Sequence, residues 1–178
     1  MADPSRAPFP LPPPLPSTMG REAFVDRFGG IYEHSPWVAE AAHDGGIGAG
    51  EDTAPGLAAA MARALEAATG DQKLALIRAH PDLAGKAAVR GGLTPASTSE
   101  QTGAGLDQCS AEEFSRFENL NATYRAKFGF PFIFAVGGKT RYDILDAFEA
   151  RIAQDPDMEF ATALEQINKI AALRLMAL

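Results

Sequence analysis

Apolar side chains recur along almost the whole of this chain at the spacing of one face of an α-helix, and this pattern most constrains its fold. The first stripe places Phe24, Phe28, Ile31 and Tyr32 at i, i+4, i+7 and i+8. Further stripes lie within residues 57–68, 74–77, 114–128, 144–152 and 160–173. Only residues 132–136 look strand-like, and a single strand has no partner. The pattern therefore predicts an all-α fold, a single compact domain of about seven or eight helices.

Local signals predict where several helices begin and end. Helix starts are expected at Ser35-Pro36, at Asp71, at the capping box Ser110/Glu113, at Thr140 and at about Asp157. Helix ends are expected at Gly70 and Gly129. The two long interruptions, at residues 80–101 and 129–138, are the segments that helix packing alone explains least.

The N-terminus has a different composition from the rest. Seven of the first 16 residues are proline, which favours an extended, uncollapsed chain. We therefore predict a disordered, dispensable lead at 1–16 and a helical domain at 17–178.

Composition excludes several classes of function. With 178 residues, 46% of them apolar, the chain can bury a core of its own. A net charge of −7 makes it a poor general binder of nucleic acid or anionic membrane, and no apolar run is long enough to span a bilayer. One cysteine, Cys109, rules out a disulfide within the chain. We expect a cytoplasmic protein without nucleic-acid or membrane partners.

The three histidines, His34, His43 and His80, have no metal-ligand spacing, and we predict no metal site. His80 is nevertheless unusual, because it precedes Pro81, and proline pushes the residue before it out of the helical region. An imidazole at such a break can project into a cleft and titrate near neutral pH. The alternative is that His80 only caps the end of a helix.

The run Ser97, Thr98, Ser99, Glu100 and Gln101 has two interpretations. Ser97 and Glu100 are spaced as a capping box, which would be purely structural. Alternatively, free amides at a helix start, together with Glu100 and Gln101, grip a polar ligand.

The segment from Lys127 to Val136 is too apolar for an ordinary surface loop. Its buried backbone groups need partners, which are either a ligand or neighbouring helices and water. Arg174, four residues after Ile170, lies near an apolar stripe. Its guanidinium needs a carboxylate or an anionic ligand there, unless it extends past the helix end into solvent.

His80, the run 97–101, the segment 127–136 and Arg174 are the four candidate features. Together they supply a titratable group, a carboxylate, a fixed cation, polar donors and an apolar wall. Such a set suits a small, polar, anionic ligand and chemistry that needs no metal.

From about Phe24 to Leu175 the chain resembles the 2-oxo-4-hydroxy-4-carboxy-5-ureidoimidazoline (OHCU) decarboxylase family. The resemblance rests on an ordered series of motifs: Tyr32-Glu33-His34-Ser35-Pro36-Trp37, His80-Pro81-Asp82-Leu83, Ser97-Thr98-Ser99-Glu100-Gln101, Leu120-Asn121, Tyr124, Lys127 to Pro131 and Ile170 to Leu175.

The resemblance implies an all-helical carboxy-lyase without a cofactor, which converts OHCU to (S)-allantoin and CO2, the last step from urate. It implies His80, Glu100 and Arg174 as catalytic residues. It also implies a set of substrate-binding residues: Pro81, Ser97, Thr98, Ser99, Glu100, Gln101, Phe132, Ile133, Phe134, Ala135 and Val136.

Two alternatives stay open at this stage. The chain could act on a related ureido acid, or it could be a non-catalytic helical carrier of a small anion, which would tolerate loss of His80. The oligomeric state is also open, with a homodimer as the commonest closed assembly.

Overall fold

The computed structural model describes residues 9–85 and 92–178, and the regular structure of these residues is helical. Eight α-helices occur in them: α1 (Arg21–Phe28), α2 (Trp37–Asp44), α3 (Ala54–Glu66), α4 (Gly70–Ala79), α5 (Pro95–Gly103), α6 (Ala111–Phe128), α7 (Arg141–Arg151) and α8 (Pro156–Met176). Three short 3-10 turns lie at Pro16–Thr18, Ala49–Asp52 and Leu106–Gln108. The predicted all-α class is confirmed.

Three predicted helix boundaries are confirmed in atomic detail. At the start of α6 the Ser110 hydroxyl accepts from the Glu113 N–H, and the Glu113 carboxylate accepts from the Ser110 N–H. Thr140 and Asp143 form the same reciprocal pair at the start of α7. Gly129 ends α6 at φ 76°, a left-handed conformation that glycine adopts without strain.

Other boundaries differ from the predictions. Helix α5 begins at Pro95 with Thr94 as its N-cap, so Ser97 lies inside the helix and the Ser97/Glu100 capping box was wrong. Proline is favoured at a first helical position, and this explains the earlier start. Helix α4 is capped by Thr69, whose hydroxyl accepts from the Gln72 N–H, rather than by Asp71. Gly70 begins α4 instead of ending α3.

The proline-rich lead is ordered where the structure describes it. The Leu11 N–H donates to the Asp52 carbonyl at 2.9 Å, and the Ala54 N–H donates to the Phe9 carbonyl at 2.9 Å. Leu11 itself is buried. These contacts differ from the expected disorder at residues 9–16; residues 1–8 lie outside the described residues.

The chain divides into two compact units, the first formed by residues up to Lys73 together with Ala171–Leu178, and the second by Leu74–Ile170. In the first unit α1 packs on α2 and α2 on α3. Its core is built from the apolar stripes of these helices, including the fully buried Phe24, Phe28, Val38, Leu57, Met61 and Leu65.

The second unit has an aromatic core centred on the buried Tyr124 of α6. Four phenylalanine rings lie within 6.0 Å of its ring centre: Phe128, Phe130, Phe132 and Phe148. Phe132 also stacks on Phe148 with ring centres 3.9 Å apart. This core carries the irregular segment at 132–136, which forms no strand.

None of the helices in the described residues has the length and apolar character that crossing a membrane requires.

Candidate active site

His80 lies directly after the last residue of α4, where Pro81 prevents the helix from continuing. Its side chain is buried, and its Nδ1 lies 2.9 Å from the Leu76 carbonyl oxygen. A carbonyl oxygen only accepts hydrogen bonds, so Nδ1 carries a proton. In the neutral ring the lone pair is therefore on Nε2, which is the basic nitrogen. His80 thus caps the end of the helix through Nδ1.

The turn that follows Pro81 is clamped by side chains from two helices. Gln101 of α5 accepts from the Ala84 N–H at 3.1 Å and donates to the Asp82 carbonyl at 3.3 Å. Asn121 of α6 donates to the Leu83 carbonyl at 3.0 Å. Ala84 has a φ of 50°, which is strained for a residue with a side chain. The clamp therefore maintains an unfavourable backbone next to His80.

A salt bridge extends this clamp at the protein surface. Arg125 Nε lies 2.9 Å from Asp82 Oδ1, and both side chains are partly exposed. Such a pair contributes little to stability. It does fix the orientation of Asp82 relative to α6.

The run from Ser97 to Gln101 lies within α5. The Ser97 and Thr98 amides are bonded to the Thr94 hydroxyl and carbonyl, so they are not the free amides that sequence reasoning expected. Ser97 and Gln101 are buried, and Glu100 is half-buried. Side chains, rather than these two amides, are therefore the groups of this run that can meet a ligand.

The backbone of Phe132–Val136 is held by side chains of α7 and α8. Arg151 Nη1 donates to the Ile133 carbonyl at 2.6 Å, and Gln166 Oε1 accepts from the Ala135 N–H at 3.0 Å. Phe132 and Ile133 are buried, whereas Phe134 and Ala135 are only half-buried. Side chains of neighbouring helices are thus the hydrogen-bond partners of two backbone groups of this segment. This agrees with the interpretation in which neighbouring helices, rather than a ligand, bond the buried backbone.

A buried ion pair supports that segment. Arg151 Nε lies 3.0 Å from Glu159 Oε1, and its guanidinium lies over the Phe132 ring at 4.4 Å. The Tyr124 hydroxyl donates to the same carboxylate. Burial, and then this hydrogen bond to Glu159, raises the pKa of Tyr124. Tyr124 therefore stays protonated and remains a donor.

Arg174 lies in the first unit with a carboxylate partner. Its Nη2 is 3.0 Å from Glu33 Oε2, and its Nη1 donates to the Ile31 carbonyl at 3.1 Å. Only 8% of the Arg174 side chain and 1% of the Glu33 side chain are exposed. The prediction that this guanidinium needs a carboxylate or an anionic ligand is met by Glu33, and the solvent-extended alternative was wrong.

The predicted residues fall into two sets. His80, Pro81, the run Ser97–Gln101 and the segment Phe132–Val136 belong to the second unit, and Gln101 bonds to the turn that follows Pro81. Arg174 belongs to the first.

Sequence reasoning missed several supporting residues, among them Glu33, Asn121 and Arg151. Arg151 had a visible signal, because it follows Phe148 by three on the apolar stripe of α7, as Arg174 follows Ile170 by four. Glu33 and Asn121 stand inside motifs of the resemblance but carried no role of their own. In the described residues no group of three or more His, Cys, Asp or Glu side chains is arranged to hold a metal ion.

Comparison with known proteins identifies relatives over nearly the whole chain. The chain is 45% identical over 154 residues to a 2-oxo-4-hydroxy-4-carboxy-5-ureidoimidazoline decarboxylase of Haloferax volcanii, covering 86% of this chain and 88% of that protein. It is 36% identical over 157 residues to a uric acid degradation bifunctional protein of Bacillus subtilis, covering 88% of this chain and 30% of that one.

The fold is similar to a crystal structure of (S)-allantoin synthase, with a TM-score of 0.70 and 35% identity. The similarity covers 91% of this chain and 52% of the chain in that structure. A model of the OHCU decarboxylase family matches residues 17–176. This chain therefore belongs to the OHCU decarboxylase family.

Proposed function

We propose that this protein decarboxylates 2-oxo-4-hydroxy-4-carboxy-5-ureidoimidazoline to (S)-allantoin and CO2, the last step from urate. The observation that carries the proposal is the buried His80, whose Nδ1 lies 2.9 Å from the Leu76 carbonyl oxygen, in the His80-Pro81-Asp82-Leu83 motif on which the resemblance to the family rests. The names of the relatives, an OHCU decarboxylase and an (S)-allantoin synthase, support the same substrate and product.

The substrate itself can accept the electrons of the reaction. The bond between the ring carbon and its carboxylate breaks, CO2 leaves, and the electron pair enters the adjacent unsaturated bond of the ring. The ring nitrogen of that bond takes up a proton, which leaves an enol. The enol hydroxyl then loses its proton while the ureido-bearing carbon takes one up, so the hydroxyl-bearing carbon becomes a carbonyl and one proton in total is taken up per CO2 released. The protein must orient the carboxylate, stabilise the developing charge and deliver a proton to one face of the ring.

The proposal gives each of the three catalytic residues a task. His80 is the acid–base group, acting through Nε2 on the substrate hydroxyl or carboxylate. Glu100 orients His80 or binds ureido N–H groups. Arg174, held by Glu33, supplies a fixed positive charge for an anionic oxygen. Electrostatic and acid–base contributions of this kind remove the need for a metal in the proposal.

The remaining predicted residues bind the ring and the ureido group. The proposal assigns the side chains of Pro81 and Ser97–Gln101 to the ureido or ring carbonyl. Backbone groups of Phe132–Val136 would contact the ring edge, and Phe132 and Phe134 would help to exclude water.

Circular dichroism on OHCU generated in situ from urate tests the proposal. Wild-type protein is expected to produce the (S)-allantoin signal quickly, while the uncatalysed reaction drifts to a racemate without signal. His80→Ala is expected to lower turnover by about 10²-fold or more. The matched control is His43→Gln, a half-buried histidine in the first unit, which should keep normal turnover.

Two outcomes would contradict the proposal in different ways. A folded wild-type protein that gives neither CO2 nor an optical signal would overturn the substrate, and related ureido acids would be tested next. Normal turnover in a folded His80→Ala protein would overturn the role of His80.

We further propose that the enzyme works in the cytoplasm as a homodimer, since closed twofold assemblies are the commonest. Its single cysteine fits a compartment in which disulfides are not needed. Light scattering of the purified protein tests the assembly, and a monomer mass would overturn it.

A further inference from the structure

Two side chains that the proposed mechanism leaves unused hold the backbone on either side of Phe134. The carbonyl of Ile133, just before Phe134, accepts from Arg151 Nη1 at 2.6 Å. The N–H of Ala135, just after Phe134, donates to Gln166 Oε1 at 3.0 Å. Each of the two peptide units that flank Phe134 is therefore held through one of its polar groups, the first through its carbonyl and the second through its N–H.

Both anchors are connected to one face of α8. Glu159, which holds Arg151, and Gln166 are seven residues apart, so they lie two turns apart on the same side of the helix. Ala163 lies between them and is fully buried. The Ile133 carbonyl is thus connected to this face of α8 through Arg151 and Glu159, and the Ala135 N–H is connected to it through Gln166.

Peptide geometry then sets the direction of the remaining groups. The carbonyl and the N–H of a trans peptide unit point in opposite directions, and in the described residues the one cis bond is Pro13–Pro14. The Phe134 N–H is therefore turned away from Arg151, and the Phe134 carbonyl is turned away from Gln166. A donor and an acceptor of one half-buried residue are thus each turned away from the side chain that anchors their peptide unit.

We propose that Arg151 and Gln166 are positioning residues that present the N–H and C=O of Phe134 as a donor–acceptor pair to an amide edge of the substrate. The inference rests on the proposed function, since that function supplies the substrate class. Ureido and ring amides carry an N–H beside a C=O, which complements such a pair as two facing residues of an antiparallel ladder complement each other. A site of this kind discriminates against analogues that lack the matching polar group.

The ion pair makes Arg151 a strong anchor. Both charges are buried, with 9% of the Arg151 side chain and none of the Glu159 side chain exposed. The Tyr124 hydroxyl adds a third contact to the carboxylate. A guanidinium fixed on three sides by Glu159, Phe132 and the Ile133 carbonyl cannot turn without leaving a charge unpaired in the core.

Gln166 gives the sharper test, because its contact can be removed or kept by substitutions of similar size. Gln166→Glu keeps an oxygen that accepts from the Ala135 N–H, whereas Gln166→Met keeps the length and loses that acceptor. We expect Gln166→Met to lower kcat/KM at least tenfold, mainly through KM, and Gln166→Glu to stay within threefold of wild type. Glu165→Met, at the exposed neighbouring position, is the matched control and should leave kcat/KM unchanged.

Amide NMR with (S)-allantoin as the probe supplies a readout that a purely structural role would not move. The Phe134 amide resonance should shift on addition of (S)-allantoin in wild type and in Gln166→Glu, and the shift should be lost in Gln166→Met. No shift of Phe134 in the wild type at saturating (S)-allantoin would overturn the inference, whatever the variants do. Normal kcat/KM in a folded Gln166→Met protein would overturn it as well.

These outcomes separate the inference from the proposed function. A wild-type protein that releases no CO2 but shows the Phe134 shift, lost in Gln166→Met, would overturn the reaction and support the binding geometry. A wild-type protein that releases CO2 without any Phe134 shift would support the reaction and overturn the binding geometry.

Discussion

At the scale of single residues, two buried ion pairs are the positions most sensitive to substitution. Arg174 and Arg151 both lie on apolar stripes, and each forms an ion pair with a buried carboxylate, Glu33 and Glu159 respectively. Breaking a buried pair costs far more than the pair contributes, since one charge stays behind without its partner. The two pairs are therefore points at which a single substitution acts strongly.

Glu33→Gln keeps the shape of the side chain but removes the charge that Arg174 pairs with. We expect the free energy of unfolding to fall by about 3–5 kcal/mol, measured by urea denaturation. The control is Glu165→Gln, which breaks an exposed pair with Lys169 and should cost no more than about 0.5 kcal/mol. Equal costs for the two variants would contradict a special role of the buried pair.

At the scale of elements, the turn after His80 depends on side chains from other helices. Asn121 donates to the Leu83 carbonyl, and both groups belong to the clamp around the strained Ala84. Asn121→Ala should destabilise the protein by about 1–3 kcal/mol, because a buried carbonyl loses its donor. Asn119→Ala, exposed on the same helix, should stay within about 0.5 kcal/mol in the same denaturation measurement. Similar values for both would show that the clamp is dispensable.

The cap of α6 makes a pH-dependent contribution to stability. The Ser110 N–H, and then the Arg141 side chain, lower the pKa of Glu113 below its ordinary value. A carboxyl whose pKa is lower in the folded protein stabilises it above the ordinary pKa, and this stabilisation is lost as the pH falls through the folded pKa. Between pH 6 and pH 3 the Tm of wild type should therefore fall more steeply than that of Glu113→Gln, which can still cap the helix. Parallel curves would contradict this prediction.

At the scale of the whole molecule, the ordered part of the proline-rich lead adds to the first unit. Leu11 is 3% exposed and bonds to Asp52, and Arg27 donates to the Pro12 carbonyl at 2.8 Å. A chain that starts at Ser17, where the family match begins, should lose about 1.5–3 kcal/mol of stability from Leu11 alone. Its kcat/KM should stay within twofold of the full chain.

Thermal unfolding and the circular dichroism assay check this prediction together. Leu11→Ala in the full chain should reproduce much of the loss in Tm. An unchanged Tm for the shortened chain would support the original expectation that the lead is dispensable in every respect.

Local signals in the sequence determined much of the fold. The helical spacing of Phe114, Phe117 and Tyr124, with a cap at Ser110 and a stop at Gly129, predicts α6 from end to end. These signals act over three to eight residues, which is why they can be read without tertiary structure. At α5 the local spacing was misleading, because the Ser97/Glu100 pair predicts a start three residues later than the Thr94 cap that the structure shows.

The candidate catalytic residues His80, Glu100 and Arg174 also come from the sequence alone, since the order of its motifs resembles one family. Only the tertiary structure decided which partner each group has. Glu33 lies 141 positions before Arg174 in the chain, and Asn121 lies 38 positions after Leu83. Such pairings depend on how helices pack, and no local spacing encodes them. The proton on His80 Nδ1, the clamp on its turn and the direction of the Phe134 peptide groups therefore follow from the fold rather than from any motif.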